Sequence, residues 1–282
     1  MNRTFFQAQK WAFSFIKDNP ELDESGVTML LCGQMNWSQT DLLLNLRQPI
    51  SDSEWQKFKA NVEQYQAGWP VQYILGKAEF FGLTLKVTPD ILIPRLETEE
   101  LVEWILTDFS QMQGLNVLDI GTGSGAIGLA LKHEQPTWKV TLADLSGKAL
   151  SIARENALKL NLNVDTIESD LFEKIKQPYD IIVSNPPYIA EDEKQFMDQS
   201  VLEHEPQMAL FAAQNGLAIY QRIALECQQN IKANSVIYLE IGFNQGQKVS
   251  QIFHQAFPHA EITVKKDIAG HDRMVRIKLK KG

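Results

Sequence analysis

The tetrad Asn185-Pro186-Pro187-Tyr188 is the part of the chain best suited to chemistry. It follows the apolar run 179–184, YDIIVS, which has the β-branched and aromatic content of a strand. Two successive prolines fix φ and remove two backbone donors, so carbonyls in the turn are left to face a cleft rather than a ladder. The Asn185 side-chain oxygen and the Pro186 carbonyl can each accept one N–H of an NH₂ group. That holds a planar nitrogen for in-line attack on an electrophilic methyl group. Two such acceptors also stabilise the positive charge that develops on nitrogen, which favours the transition state and removes the need for a strong base. Tyr188 is expected to pack on the flat amide or ring. Asn185, Pro186 and Tyr188 are therefore the expected catalytic residues, and Pro187 completes the substrate-binding turn. The alternative is a rigid turn with no ligand.

A second cluster stands upstream. Val117-Leu118-Asp119-Ile120 leads into Gly121-Thr122-Gly123-Ser124-Gly125, a glycine-rich turn between an apolar strand and a helix, where the backbone can approach a ligand closely. Gly121, Thr122, Gly123, Ser124 and Gly125 are the expected cofactor loop. Because Gly123-x-Gly125-x-x-Gly128 also satisfies the dinucleotide fingerprint, glycines alone leave a nicotinamide cofactor open. Asp119 before the turn and the spacing D-x-G-x-G-x-G resemble motif I of class I methyltransferases. Asp144 ends the next strand, nineteen residues after Gly125, where a carboxylate can accept both hydroxyls of a ribose; a helix cap shared with Ser146 is the plainer role. Hydride transfer has no use for the Asn-Pro-Pro-Tyr turn, so the two clusters together favour methyl transfer from S-adenosylmethionine, with Asn185 bordering the cofactor as well.

The elements that must position these residues are legible as pattern. Residues 1 to about 68 carry apolar positions at helical spacing and two capping boxes, Ser38-x-x-Asp41 and Ser51-x-x-Glu54, and predict a small helical bundle. Phe80 to Val87, between Gly76 and Pro89, predicts a short strand pair. From Asn116 onward short apolar runs alternate with helical stretches, which specifies βαβ units and a mostly parallel α/β sheet with helices on both faces. AEITVKK and DRMVRIKLK near the end predict an antiparallel edge pair. The expected boundaries are 1–76 for a helical substrate-recognition domain, 77–97 for a β-hairpin linker and 98–282 for the catalytic domain.

The 282 residues, 44% hydrophobic and 22% charged, suffice for a core domain and an appendage. A net charge of −8 disfavours binding through many phosphates, so no direct nucleic-acid binding is expected and partners are expected to be proteins. The first residues lack the apolar core of a signal peptide and no run is long enough to span a membrane. Cys32 and Cys227 lack C-x-x-C spacing, against both disulfides and a thiolate metal site, and a reducing cytoplasm is the expected location. Glu203-His204-Glu205 and the pair His254/His259 lack a third metal ligand; no metal is expected and solvated surface is the reading for them. Glu97, Glu99, Glu100 and Glu103 complement the dipole of the helix they begin, and only Glu97 is placed to reach a cofactor.

With these residues in place the chain resembles the release-factor glutamine methyltransferases, the HemK/PrmC family, over nearly its whole length. The specific matches are PVQYILGKAEFFG, ILIPRLETEELVE, VLDIGTGSGAIGLAL, SDLF, SNPPYI, HEPQMAL with NGL, and DIAGHDRMV. The resemblance implies a class I, Rossmann-like methyltransferase sheet with an antiparallel edge hairpin and a five-helix-like N-terminal domain contributing to substrate recognition. It also implies methylation of the glutamine amide in the Gly-Gly-Gln loop of class-1 peptide-chain release factors. In two places the chain departs from the family pattern. Leu96 stands where the family usually has a second proline after Pro94-Arg95, which should loosen a turn by the pocket. Leu171 replaces an aromatic after Ser169-Asp170, so adenine would meet an aliphatic side chain, with Phe172 beside it. A glutamine methyltransferase of a large-subunit ribosomal protein, a DNA or RNA amino-methyltransferase, and a non-catalytic binding module are the competing readings; the intact tetrad argues against the last.

Overall fold

The computed structural model describes residues 3–280. The chain forms two compact units, residues 1–77 with 198–204, and residues 78–197 with 205–282.

The first unit is built on five helices: α1 (Phe5–Ile16), α2 (Glu24–Met35), α3 (Gln39–Asn45), α4 (Asp52–Gln66) and α5 (Val71–Leu75). Both expected capping boxes are formed, at Ser38/Asp41 and Ser51/Glu54, and Thr4/Gln7 makes a third. Each joins two otherwise orphaned backbone donors to side chains and fixes where its helix begins. Phe5, Ala12, Leu30, Leu31, Phe58 and Val62 fill the core between helices. A later helix, α9 (Gln199–His204), also belongs to this unit: Ser200 Oγ donates to the Gly68 carbonyl at 2.7 Å and His204 stacks on Trp69 with ring centroids 4.3 Å apart.

The second unit opens with the hairpin β1 (Lys77–Phe80) and β2 (Leu83–Lys86). The strand pair begins three residues before the expected Phe80, because the turn is the two residues Phe81 and Gly82, both at positive φ, and a two-residue turn needs matched strands on either side. Then come α6 (Leu96–Asp108), β3 (Asn116–Ile120), α7 (Ala126–Glu134), β4 (Lys139–Asp144), α8 (Gly147–Lys159), β5 (Asp165–Glu168) and β6 (Tyr179–Ser184). The short helices α9 (Gln199–His204) and α10 (Gln207–Leu210) precede α11 (Ala218–Glu226), β7 (Ile231–Glu240), α12 (Gly246–Ala256), β8 (Glu261–Lys266) and β9 (Asp272–Lys278).

The seven sheet strands run in the order β5-β4-β3-β6-β7-β9-β8. The first five are parallel, and β9 and β8 close the edge antiparallel, as the sequence predicts. Val117, Leu129, Leu131 and Leu142 pack on one face, with α6 and α7; Leu118, Ile182, Tyr220 and Phe253 pack on the other, with α11 and α12. Register then sets the site. Ile120 is level with Ala143 and Ser184, and Ser184 with Leu239, so Gly121, Asp144, Asn185 and Glu240 emerge together at the carboxyl edge. In open α/β sheets that edge is where ligands bind.

Candidate active site

A cavity of about 230 Å³ opens at this edge, wholly within the second unit. Gly121 and Gly123 form part of its wall at φ +68° and +55°, and a Cβ built on either would meet no atom within 4 Å. The loop therefore presents bare backbone to open space, which is how a glycine turn admits a ligand closely. Asp144 lines the cavity beside it. Its Oδ2 accepts from Gly123 N at 2.9 Å and its Oδ1 from Ser146 N at 2.8 Å. One lone pair on each oxygen is left to accept a hydroxyl of a diol, and burial raises the carboxyl pKa. Leu171, held at φ +45°, adds an aliphatic wall suited to a flat ring.

Thr122, Ser124 and Gly125, expected in the same loop, do not line the cavity. Thr122 Oγ1 donates at 2.6 Å to Asp119 Oδ2, which also accepts from Gly128 N at 2.9 Å. The Ser124 carbonyl accepts from Asn156 Nδ2 at 2.9 Å, and Gly125 caps α7. These residues hold the loop. Asp119 is fully buried and its second oxygen has no hydrogen-bond partner, so burial pushes its carboxyl up to about 6.

Asn185, Pro186 and Pro187 form another wall. Ser184 Oγ donates to the Ile120 carbonyl at 2.7 Å and ties the end of β6 to that of β3. Asn185 Nδ2 donates to Thr98 Oγ1 at 3.2 Å, and Thr98 donates to Glu240 Oε2 at 2.6 Å. Tyr188 differs from expectation in where it points. Its side chain is not in the cavity wall; its hydroxyl lies 3.5 Å from Glu240 Oε1, and burial raises its pKa. Its backbone carbonyl accepts from Gln245 Nε2 at 2.9 Å, which fixes the turn from below. Glu240 is 1% exposed, and burial raises its carboxyl to about 7 against the pull of the Thr98 hydroxyl and the Arg273 guanidinium.

Sequence reasoning missed Thr98, Asn156 and Glu240. The only local signal is at Glu240, a charge closing an apolar strand run. The expectation of solvated surface at Glu203-His204-Glu205 is corrected for two of the three. Glu205 is 5% exposed and pairs with Arg95 Nη2 at 2.6 Å, while His204 is stacked on Trp69. Nor are the α6 acids all idle: Glu99 accepts from Phe81 N and Glu100 from Ile268 N, each holding a loop to the helix start.

Comparison with known proteins places this geometry. Residues 98–212 match the model of the methyltransferase small domain, and residues 7–76 that of the PrmC N-terminal domain. The release factor glutamine methyltransferase of Streptococcus pneumoniae R6 is 48% identical over 241 residues, 85% of this chain and 86% of that protein. The chain belongs to the release factor glutamine methyltransferase family. Its Bacillus subtilis member is 40% identical over 280 residues, 97% of both chains. A solved methyltransferase from Pyrococcus furiosus shares the fold at 15% identity and TM-score 0.53, over 79% of this chain and 98% of that one. The family assignment agrees with a tetrad that presents acceptors, not acids or metals, at the strand edge, and its members are enzymes of methyl transfer. Among the described residues no helix is long and apolar enough to cross a membrane.

Proposed function

We propose that this chain methylates the side-chain amide nitrogen of the glutamine in the Gly-Gly-Gln motif of class-1 peptide-chain release factors. The observation that carries the reading is the Asn185 amide at the cavity wall: its nitrogen is engaged by Thr98, so its oxygen is the end left for a substrate N–H. S-adenosylmethionine supplies an electrophilic methyl on a sulfonium. Asp144 binds the ribose diol, Gly121 and Gly123 give close passage, and Leu171 packs on the base. Asn185 Oδ1 and the Pro186 carbonyl hold the two amide hydrogens and aim the nitrogen lone pair. With S-adenosylmethionine bound, Asn185 Oδ1 and the Pro186 carbonyl would stabilise the positive charge that methyl transfer places on the amide nitrogen, which would then give up one N–H proton to water. Tyr188 supports the turn through Glu240. Residues 1–76 recognise the protein substrate, residues 77–97 link the two domains, and the work is cytoplasmic, as translation is. The relatives' names support the substrate, and a net charge of −8, which does not favour binding through many phosphates, is consistent with it.

The test is mass spectrometry of an unmethylated release factor incubated with the protein and S-adenosylmethionine. One added methyl on the Gly-Gly-Gln glutamine is expected, with the rate reduced on the order of 10²-fold or more in Asn185→Ala. Cofactor binding without transfer to any release factor would sink the substrate assignment, and transfer to a ribosomal-protein glutamine instead would select the competing reading.

A further inference from the structure

A primary amide is nearly symmetric in shape, with an acceptor at one end and two donors at the other. A clamp that must accept hydrogens from a substrate NH₂ works only if the Asn185 oxygen faces the cavity, because the reversed amide would oppose NH₂ to NH₂. Something has to decide which end points out. The turn itself does not, since either end fills the same space.

Three elements converge on that decision. Thr98, on the first turn of α6, is 4% exposed; Asn185 follows β6; Glu240, the last residue of β7, is 1% exposed. A threonine hydroxyl has one hydrogen to give. Here it goes to Glu240 Oε2 at 2.6 Å, so Thr98 can offer Asn185 only a lone pair, and the end of Asn185 that meets it, at 3.2 Å, is the nitrogen. The carboxylate is itself fixed, with the Tyr188 hydroxyl 3.5 Å from Oε1 and the Tyr220 hydroxyl donating to the Glu240 backbone carbonyl at 2.8 Å.

We propose that Thr98 and Glu240 are positioning residues whose hydrogen bonds run in one direction, from Asn185 through Thr98 to the carboxylate, and thereby hold the Asn185 oxygen toward the substrate. The proposal rests on the reading of Asn185 as the amide clamp. The ionised carboxylate holds this direction most firmly, because both of its oxygens only accept; a proton on Oε2 would make that oxygen a donor toward Thr98 and leave the Thr98 hydrogen for the Asn185 oxygen after a flip. The groups bearing on Glu240's charge are Arg273 from β9, Glu97 from α6 and Tyr188 from the turn. Arg273 favours ionisation but is shared with Asp267 at 3.1 Å and the Ile241 carbonyl at 3.3 Å, while Glu97 opposes it.

The test uses full-length protein with an unmethylated release factor, and compares Thr98→Val, Thr98→Ser, Glu240→Gln and Asn185→Ala for kcat, for KM of the release factor and for cofactor affinity by calorimetry. Thr98→Val and Glu240→Gln are expected to lower kcat about tenfold or more, the scale of a misaligned reacting group, with KM and cofactor affinity within about twofold of wild type. Thr98→Ser, which keeps the hydroxyl, should retain most of kcat. The wild-type rate should rise with pH through neutrality, and that rise should be absent in Glu240→Gln. Glutamine preserves the side-chain volume, and with its oxygen held opposite the Tyr188 hydroxyl its NH₂ faces Thr98 and reverses the relay, so Glu240→Gln carries the test should Thr98→Val fold poorly. Wild-type kcat in Thr98→Val or Glu240→Gln, with Asn185→Ala inactive, would overturn the relay and leave the clamp standing. Full activity in Asn185→Ala would overturn the clamp itself and the relay with it.

Discussion

Asp144 has both carboxylate oxygens engaged by backbone N–H groups and still faces the cavity. A group held in this way binds a diol without first losing side-chain freedom. If Asp144 takes the ribose diol as proposed, truncating it removes two charge-assisted hydrogen bonds, each worth about 1.5–3 kcal/mol. Asp144→Ala should therefore weaken S-adenosylmethionine binding by at least about tenfold, measured by calorimetry; unchanged affinity would place the ribose elsewhere. Glu240 makes a different prediction, on stability. Its folded value, about 7, lies above the ordinary 4.5, so between these pH values the folded state holds a proton that the unfolded state has lost. Stability from this group is complete below about pH 4.5 and is lost as pH rises to about 7, a change on the order of 3 kcal/mol. Asp119, raised to about 6, acts in the same sense. The capping carboxylates Asp41 and Glu54, which are lowered by their serine partners, act in the opposite sense but below the ordinary carboxylate range. Thermal unfolding of wild type should thus weaken from pH 5 to 8, and less so in Glu240→Gln. An identical slope in the two proteins would mean that Glu240 is not ionising in the fold. Asn185, Gly121 and Asp144 were legible because each sits in a short diagnostic string. Thr98 and Glu240 were not, because their roles lie in a contact made across 142 positions of chain.

At the scale of elements, strand–helix alternation and capping boxes are local, and the sequence predicts them well. The ends of elements are set by neighbours, which is why β1 begins at Lys77 and not at Phe80. Asn156 on α8 illustrates what pattern does not reach: its amide bridges Lys86 N, the Lys86 carbonyl and the Ser124 carbonyl, joining hairpin to glycine loop. The start of α6 carries a prediction of its own. Arg95 at the N-cap gives no side-chain cap and sits at φ −103°, ψ 149°, the extended region that a residue before proline prefers. Leu96, the first helical residue, is 76% exposed, so its side chain contributes little packing. A proline there would lack only an N–H that the first turn leaves without a helical partner, and would restrict the unfolded chain. Leu96→Pro should raise stability by about 0.4–1 kcal/mol, or roughly 1–4 °C in Tm for a chain of this size. A fall in Tm on calorimetry would show that the Leu96 N–H or side chain has a role in the fold.

At the scale of the molecule, the net charge of −8 is read from composition, whereas the path of the chain between the two units is not. Nothing in Asp198–His204 announces that it belongs with residues 1–77, since its recognition there is one ring on another and one hydroxyl on a carbonyl. This short segment interrupts the second unit between the Asn-Pro-Pro-Tyr turn and Glu205, the buried partner of Arg95. Its anchor inside the first unit is Trp69, whose ring stacks on His204 at 27°. An aromatic stack contributes about 0.5–1.5 kcal/mol, so Trp69→Ala should raise the local opening of residues 198–204 by up to about tenfold, seen as faster amide exchange there. The cavity at the sheet edge is lined wholly by the second unit, so S-adenosylmethionine affinity, measured in the same variant, should stay within about twofold of wild type, because additivity holds for sites without shared partners. Release-factor KM should rise if the first unit carries recognition. Unchanged exchange across 198–204 would mean that the segment is held by its backbone and by Ser200, and that the tryptophan serves the helical unit alone.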